Sequence, residues 1–355
     1  MHQPPPPRWD RAAGSPAGAP RRVDALRGVG ALRGAGASLG TGASRWAALW
    51  LLACAAVLLG GRAAQANPVT LLLSAQGGGY TEVADAIQAE LRKMPGVRVV
   101  TSVVGASGSE DAPAPVPGAQ PITIAVGTRA MQAALRAGEP RGLLLSVLVP
   151  RSSYETLTAG LKPAESRRVT AVHLDQPFGR QLELIRQVLP GLNRVGIVLG
   201  PESARDADRL QAAADARGLR LTIERASRDS ELFPALQRVM ADSDVFLAVP
   251  DARVVNADTA QNLLLTSFRL RAPVVAWSAG YVRAGALAAV FTTPAQAGTQ
   301  AGELTRTLLR GASVPPPQYP KAFTVSINRQ LARSLGLEVD DEAQVRERMQ
   351  RNDRE

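Results

Sequence analysis

The sequence predicts an α/β fold built from two series of parallel strands and helices. Continuous apolar runs, typical of strands that are buried on both faces, alternate with segments of helical apolar periodicity. The alternation starts again after residues 169–172, so the chain divides near residue 175. A length of 355 residues is enough for two ordinary domains.

The first 66 residues are predicted to be a disordered leader and signal peptide, separate from the folded body. They are rich in Pro, Gly and Ala, and carry eight Arg against two Asp. An apolar run over residues 46–59 is followed by Ala64-Gln65-Ala66, which has the small-x-small pattern of a signal-peptidase site. We therefore expect export to the periplasm with cleavage near Ala66. An uncleaved anchor helix and a lipoprotein anchored through Cys54 are the alternatives.

The first series begins with a strand over residues 69–73, and the three glycines at 77–79 are expected to form a flexible loop. Tyr80, Ala84, Ile87 and Leu91 then lie on one helical face. Further strands are predicted at 97–104, 122–126, 143–149 and 169–172, with a loop over 107–120 and a helix over 129–136.

The second series begins with a helix whose apolar stripe is formed by Phe178, Leu182, Ile185 and Leu189. Strands follow at 195–199, 219–223, 245–249, 274–277 and 286–291. A helix over 294–309, with two glycines for close packing, and a strand over 323–327 are expected to return to the two earlier sheets. The chain ends in a charged, exposed helix and tail.

Composition excludes several classes of function. Beyond residue 66 there are 33 basic and 29 acidic residues, and this balance argues against a nucleic-acid partner. One Cys and two His cannot form a zinc site of the Cys/His type. A catalytic triad would depend on His173 alone, which is better interpreted as a structural or hinge residue. We expect no metal, no cofactor and no enzymatic activity.

In open α/β sheets, ligands bind beyond the carboxyl ends of the strands. This rule selects candidate residues in each half of the chain. In the first half they are Ser74, Gln76, Gly127, Thr128, Arg129, Ser152 and Ser153. In the second half they are Glu202, Asp251 and residues 278–281, including Ser278 and Tyr281.

Several of these candidates also have a structural interpretation. The backbone N–H groups at Gly127 and Thr128 could hold a carboxylate, or Thr128 could only cap the following helix. Arg129 could bind a carboxylate or be a solvated helix residue. Asp251, opposite Arg129, could meet an ammonium or hydroxyl group of the same ligand, or it could cap the next helix.

Five short segments resemble a known family, and together with the strands between them they cover nearly the whole body. They are residues 124–128 (IAVGT), 174–177 (LDQP), 249–251 (VPD), 281–287 (YVRAGAL) and 318–320 (QYP). They resemble the type-1 periplasmic substrate-binding proteins of ABC importers, in the branch of tryptophan- and tyrosine-type binding proteins.

The resemblance implies two doubly wound parallel-sheet lobes, joined by crossovers, with a ligand cleft between them. Lobe one would comprise residues 67–174 and 289–312, lobe two 175–288 and 318–337, and 338–355 would be the charged tail. The implied protein is an exported monomer that captures an amino acid or similar small molecule for an ABC permease. A stand-alone sensor, or a hydrolase or isomerase on the same fold, is the alternative.

Overall fold

The computed structural model describes residues 67–105, 121–137 and 142–353. Within these ranges two sheets are each flanked by helices, which confirms the predicted α/β fold with two mostly parallel sheets. The predicted leader, Cys54 and the predicted loop over 107–120 lie outside the described residues.

The sheet of the first lobe has five parallel strands in the order β2-β1-β3-β4-β5. Their bounds are β1 Asn67–Leu73, β2 Val97–Val103, β3 Ile122–Val126, β4 Leu143–Val149 and β5 Val169–His173. Every residue of β3 and β5 is buried. Helices on both faces exclude water from these strands, which is why their sequences are continuous rather than alternating apolar runs.

The sheet of the second lobe has six strands in the order β11-β10-β9-β8-β6-β7, of which only β11 is antiparallel to its neighbour. Their bounds are β6 Arg194–Leu199, β7 Arg220–Arg225, β8 Val245–Leu247, β9 Val274–Ala276, β10 Ala288–Phe291 and β11 Thr324–Ile327. The predicted lobe boundary at residue 289 therefore falls inside β10, which pairs entirely within this sheet.

Twelve α-helices are present in the described ranges. They are α1 Gly78–Leu91, α2 Thr128–Arg136, α3 Arg151–Thr158, α4 Pro163–Ser166, α5 Phe178–Val188, α6 Ala207–Asp215, α7 Asp229–Ala241, α8 Ala257–Arg269, α9 Ala279–Ala284, α10 Pro294–Leu309, α11 Arg329–Ser334 and α12 Glu342–Asn352. No helix in these ranges is both long and apolar enough to cross a membrane. The expected flexible loop at residues 77–79 is wrong for two of its three residues, because α1 begins at Gly78.

Helix α10 packs closely on α1, although the strand before α10 belongs to the other lobe. A Cβ atom added to Gly298 would lie 2.6 Å from the carbonyl oxygen of Val83, and one added to Gly302 would lie 2.5 Å from Cβ of Glu90. The close packing predicted for these two glycines is confirmed. Helix α10 therefore follows a strand of the second sheet in the chain but packs on the first lobe.

The C-terminal segment was expected to be exposed, and this expectation is wrong for α12. Val345 and Met349, one helical turn apart, are 0% and 1% exposed and belong to the core of the second lobe. Directly after the helix, Asp353 pairs with Arg180 of α5. Two apolar residues four positions apart are enough to attach an otherwise charged helix to the core.

Candidate functional site

A cavity of about 320 Å³ lies between the lobes, at the carboxyl ends of the strands. Thr128 and Gln132 of α2 line it from the first lobe, together with the face of α3 that carries Ser152 and Thr156. Glu202 and Arg205, which follow β6, line it from the second lobe; the remaining lining residues are Ser153 and Leu157. Both lobes therefore present polar side chains to one space.

A smaller space of about 20 Å³ lies deeper between the lobes, which is room for about one water molecule. Its lining is mostly polar and comprises Arg151, Ser152, Asp175, Gln176, Phe178, Gln181, Ser203, Asp206, Val249, Pro250 and Tyr319. Gln181 is 1% exposed, and its Oε1 accepts no hydrogen bond from any described residue. This acceptor is available to a donor that enters the space.

Arg151 is the central charged group of this deep region. It begins α3 directly after β4 and Pro150, and is only 7% exposed. Its Nη1 donates to Oε1 of Glu155 at 2.6 Å, and its Nη2 donates to Oδ1 of Asp206 in the second lobe. Burial opposes the charged form of Arg151, but the hydrogen bonds to Asp206 and Glu155, together with the charges of Asp206 and Tyr319, outweigh it and raise the pKa of the guanidinium.

Further ion pairs join the lobes around Arg151. Arg209 of α6 lies 3.4 Å from Oε1 of Glu155 and 3.6 Å from Oδ1 of Asp206. Arg205 lies 3.9 Å from Oε2 of Glu155 and donates to Oγ1 of Thr156 at 3.2 Å. We call Arg151, Glu155, Arg205, Asp206 and Arg209 the interlobe charge cluster. Since its members come from α3 on one side and from residues 205–209 on the other, the cluster exists only while the lobes are together.

Aromatic rings and one carboxyl group lie at the base of the site, where the chain crosses between the lobes. The ring of His173 makes edge contacts with Tyr154 and Tyr319, at centroid distances of 5.4 and 5.5 Å. Burial, together with the charge of Arg151, lowers the pKa of His173 to about 4. Burial also raises the pKa of Asp175, although its Oδ2 accepts the backbone N–H of Arg151 at 2.5 Å.

Of the first-half candidates, Thr128, Ser152 and Ser153 line the cavity between the lobes. Ser74 is buried, and its Oγ accepts the N–H of Ala130 at 2.9 Å, so it holds the first turn of α2. Gly127 has φ 90°, and a Cβ there would lie 2.5 Å from Oγ of Ser74. It therefore shapes the turn before Thr128.

Gln76 and Arg129 are exposed and line neither of the two interlobe spaces. The structure thus does not bring Arg129 together with Asp251.

Asp251 is 2% exposed, and its carboxylate is fully engaged by its own lobe. Oδ2 accepts from the N–H groups of Glu202 and Ser203 at 3.1 and 2.9 Å and from Oγ of Ser203 at 2.8 Å. Oδ1 accepts from the N–H groups of Arg253 and Val254 at 3.0 and 3.4 Å. Five hydrogen bonds assign Asp251 the loop-organising role rather than direct contact with a ligand.

Ser278 and Tyr281 lie at the carboxyl end of β9, but line neither interlobe space. Ser278 caps α9, because its Oγ accepts the N–H of Tyr281 at 3.4 Å. The Tyr281 ring packs on Trp277 with centroids 4.7 Å apart, against the core of the second lobe.

A larger cavity of about 610 Å³ lies within the second lobe, between α7 and α8. It adjoins the interlobe cavity, since Glu202 lines both. Its other charged lining residues are Asp229, Asp251, Arg253 and Asp258. In the described part of the chain, no group of His, Cys, Asp and Glu side chains is arranged to hold a metal ion.

Several residues that the structure brings to the site were not among the candidates. Arg151 precedes Ser152 directly at the end of β4 and satisfies the strand-end rule. Gln132 and Thr156 follow the candidates Thr128 and Ser152 by four positions, which places each pair on one helix face. Asp206 and Tyr319 carry no such local signal, because they reach the site through tertiary packing.

Comparison with solved structures finds the same fold in several bacterial proteins. A ligand-free, open substrate-binding protein with adhesive properties from Clostridium difficile is 18% identical, with a TM-score of 0.61 over 78% of this chain and 96% of that one. An ABC domain in complex with L-Trp from Streptococcus pneumoniae is 17% identical, with a TM-score of 0.54 over 79% and 98%. A conserved domain protein from Vibrio cholerae is 18% identical, also with a TM-score of 0.54 over 79% and 98%.

These identities are too low to transfer a ligand, so the likeness supports the fold alone. A comparison with curated proteins gave no significant match. Residues 122–349, well over half of the chain, match the family described as ABC transporter substrate binding protein. This match and the two-lobed α/β fold show that the chain belongs to the family of ABC transporter substrate-binding proteins.

Proposed function

We propose that this solute-binding protein captures a small zwitterion, such as an amino acid, between its two lobes and delivers it to an ABC permease. The observation that carries the proposal is the cavity of about 320 Å³ with polar side chains from both lobes. A ligand held by both lobes favours their closed arrangement, because it binds the closed form more tightly than the open form.

The charges around the cavity support a zwitterion. Arg205, whose ion pair with Glu155 is long at 3.9 Å, is suited to a carboxylate, since a guanidinium can donate two parallel hydrogen bonds. Arg151, whose Nη atoms are engaged by Glu155 and Asp206, adds positive charge behind it. Glu202, Asp175 and the unpaired Oε1 of Gln181 are suited to an ammonium group. A solute with both signs of charge uses both sets, whereas a neutral sugar uses neither charge.

Among the sequence-predicted residues, we propose that Thr128, Ser152 and Ser153 contact the solute directly. Ser74 and Gly127 then act by holding the first turn of α2, which carries Thr128. Ser278 and Tyr281 remain proposals for the rim of the second lobe.

The test is to identify the solute and measure its binding. The purified protein is denatured, the released small molecules are identified by mass spectrometry, and each is titrated back into stripped protein by calorimetry. We expect a zwitterion that binds one site per chain and is recovered unchanged. A neutral sugar as the bound solute would overturn the proposed ligand class, and chemical conversion of the solute would favour the enzymatic alternative.

The importer and the site of action have tests of their own. The solute-loaded protein should stimulate ATP hydrolysis by its ABC permease complex. Activation of a sensor kinase instead would favour the stand-alone receptor.

Export with cleavage after Ala66 predicts that the protein from the periplasm begins at Asn67. A start at a lipid-modified Cys54 would contradict this.

A further inference from the structure

A second surface of interest lies on the second lobe, away from the solute cavity. It is an apolar groove of about 490 Å³ between α8, α9 and α11. Its large lining side chains are Leu264, Leu265, Phe268, Leu331 and Leu335. The end of α8 leads into β9, and α11 follows the antiparallel β11. The groove therefore lies at the amino ends of the parallel strands, opposite to the edge where the solute cavity opens.

Apolar side chains protrude at this groove. Phe268 is 54% exposed, Leu265 is 48% exposed, and the adjoining Leu270 is 39% exposed. Elsewhere in the described ranges, only Leu192 and Phe233 are large apolar residues with comparable exposure. These three exposed apolar residues lie within a span of six positions at the end of α8. They therefore form a patch, whereas exposed apolar residues on a surface are normally scattered.

The elements of the groove carry mostly positive charge, since the only acidic residue on α8, α9 and α11 is Asp258 in the first turn of α8. Its elements carry five exposed arginines, and residues 259–302 contain no Asp or Glu. These arginines are Arg269, Arg271, Arg283, Arg329 and Arg333. None of them forms an ion pair within the described parts of the chain. We call the groove, Leu270 and these five residues the basic groove.

One of these arginines occupies a position that glycine would fill more easily. Arg271 follows the end of α8 with φ 54°, in the left-handed region. The turn is closed by hydrogen bonds from the N–H of Arg271 to Phe268 and from the N–H of Ala272 to Ser267. Such helix ends normally use glycine or asparagine. The chain thus keeps a charged side chain beside Leu270 despite the strained backbone.

We propose that the basic groove docks the protein on an anionic lipid surface. Protruding Phe and Leu side chains enter the boundary between headgroups and acyl chains, and the unpaired guanidiniums bind the lipid phosphates. Apolar insertion and phosphate binding are each weak, and together they give reversible attachment to the membrane. Phe268 and Leu265 are about half exposed rather than enclosed in the groove, which favours insertion into a membrane over the binding of an acidic helix from another protein. Attachment leaves the solute cavity free, because the two lie at opposite edges of the sheet.

The test is sedimentation of the purified protein with vesicles of phosphatidylcholine, with and without about one third phosphatidylglycerol. We expect binding only to the anionic vesicles, with affinity falling as NaCl rises. Each guanidinium near an anionic surface is worth about fivefold in partitioning, so Arg269→Gln with Arg271→Gln should weaken binding about 25-fold. Phe268→Ser should weaken it about tenfold.

Two matched controls separate this surface from general stickiness. Phe233→Ser removes an equally large, 41% exposed ring from the acidic cavity of the second lobe. Arg220→Gln with Arg225→Gln removes two exposed charges from β7. Both controls should bind vesicles like the unmodified protein. Absence of binding, equal binding to neutral vesicles, or equal losses in the controls would overturn the proposal. The assay needs no solute, so its outcome is independent of the proposed function.

Discussion

Replacing Asp206 by Asn is expected to open the ligand-free protein rather than to unfold it. The Arg151–Asp206 pair joins the two lobes, and both side chains are 9% exposed. Removing one partner of a buried ion pair typically costs about 3–5 kcal/mol, because the other charge stays buried without compensation. Arg151 keeps Glu155 at 2.6 Å, so we expect a smaller loss of about 2 kcal/mol.

The lost free energy destabilises the closed arrangement of the lobes and not the open one. When the lobes separate, Arg151 regains water, whereas the core of each lobe keeps its own contacts. About 2 kcal/mol changes the ratio of closed to open molecules about 30-fold. Small-angle scattering of the stripped protein should therefore show a larger radius of gyration for Asp206→Asn than for the unmodified protein.

Asp244→Asn is the matched control. Asp244 pairs with Arg194 at 2.7 Å inside the second lobe, so its loss should affect stability without changing the radius of gyration. A lower melting temperature of Asp206→Asn, with the radius of gyration of the unmodified protein, would refute this account of the interlobe charge cluster.

Two further predictions concern the hinge and the helix packing. Because burial lowers the pKa of His173 from 6.5 to about 4, the unfolded chain takes up a proton in this range that the folded protein does not. The free energy of unfolding should fall by about 2 kcal/mol from this residue as the pH drops from about 7 to about 5. Urea denaturation should show that the free energy of unfolding depends less on pH in His173→Phe. An unchanged pH dependence would contradict the lowered pKa of His173. Gly302→Ala should lower the free energy of unfolding by about 1–3 kcal/mol, because its Cβ would lie 2.5 Å from Cβ of Glu90. Gly160→Ala, where a Cβ meets nothing within 4 Å, is the control. Equal effects of the two substitutions would contradict the close packing of α10 on α1.

The fold could be predicted because its determinants are local and repeated. Buried parallel strands are continuous apolar runs, and amphipathic helices show their period over a few turns. Helix α3 was missed because its buried residues, Arg151 and Tyr154, provide no apolar stripe. Helix α12 was placed outside the core because two buried residues, Val345 and Met349, are a weak signal among many charges.

The site was predictable only in part, for a related reason. Sequence position identified the strand ends and thus Thr128 and Ser152. Sequence position could not distinguish Asp251 from Asp206. The carboxylate of Asp251 accepts hydrogen bonds from N–H groups of its own lobe, whereas the carboxylate of Asp206 accepts one from Arg151 of the other lobe. That difference depends on how loops fold back, and no local pattern records it.

Variants from each lobe test most directly whether the solute touches both lobes. The solute identified by mass spectrometry is titrated into Gln132→Ala from the first lobe and Arg205→Gln from the second, both of which line the interlobe cavity. Phe233→Ala, which lines only the larger cavity of the second lobe, is the control. We predict that both cavity variants lose about tenfold or more in affinity, as for a lost hydrogen bond to a charged group, and that the control is unchanged. Loss of affinity in Phe233→Ala, with Gln132→Ala unaffected, would place the solute within the second lobe and contradict capture between the lobes.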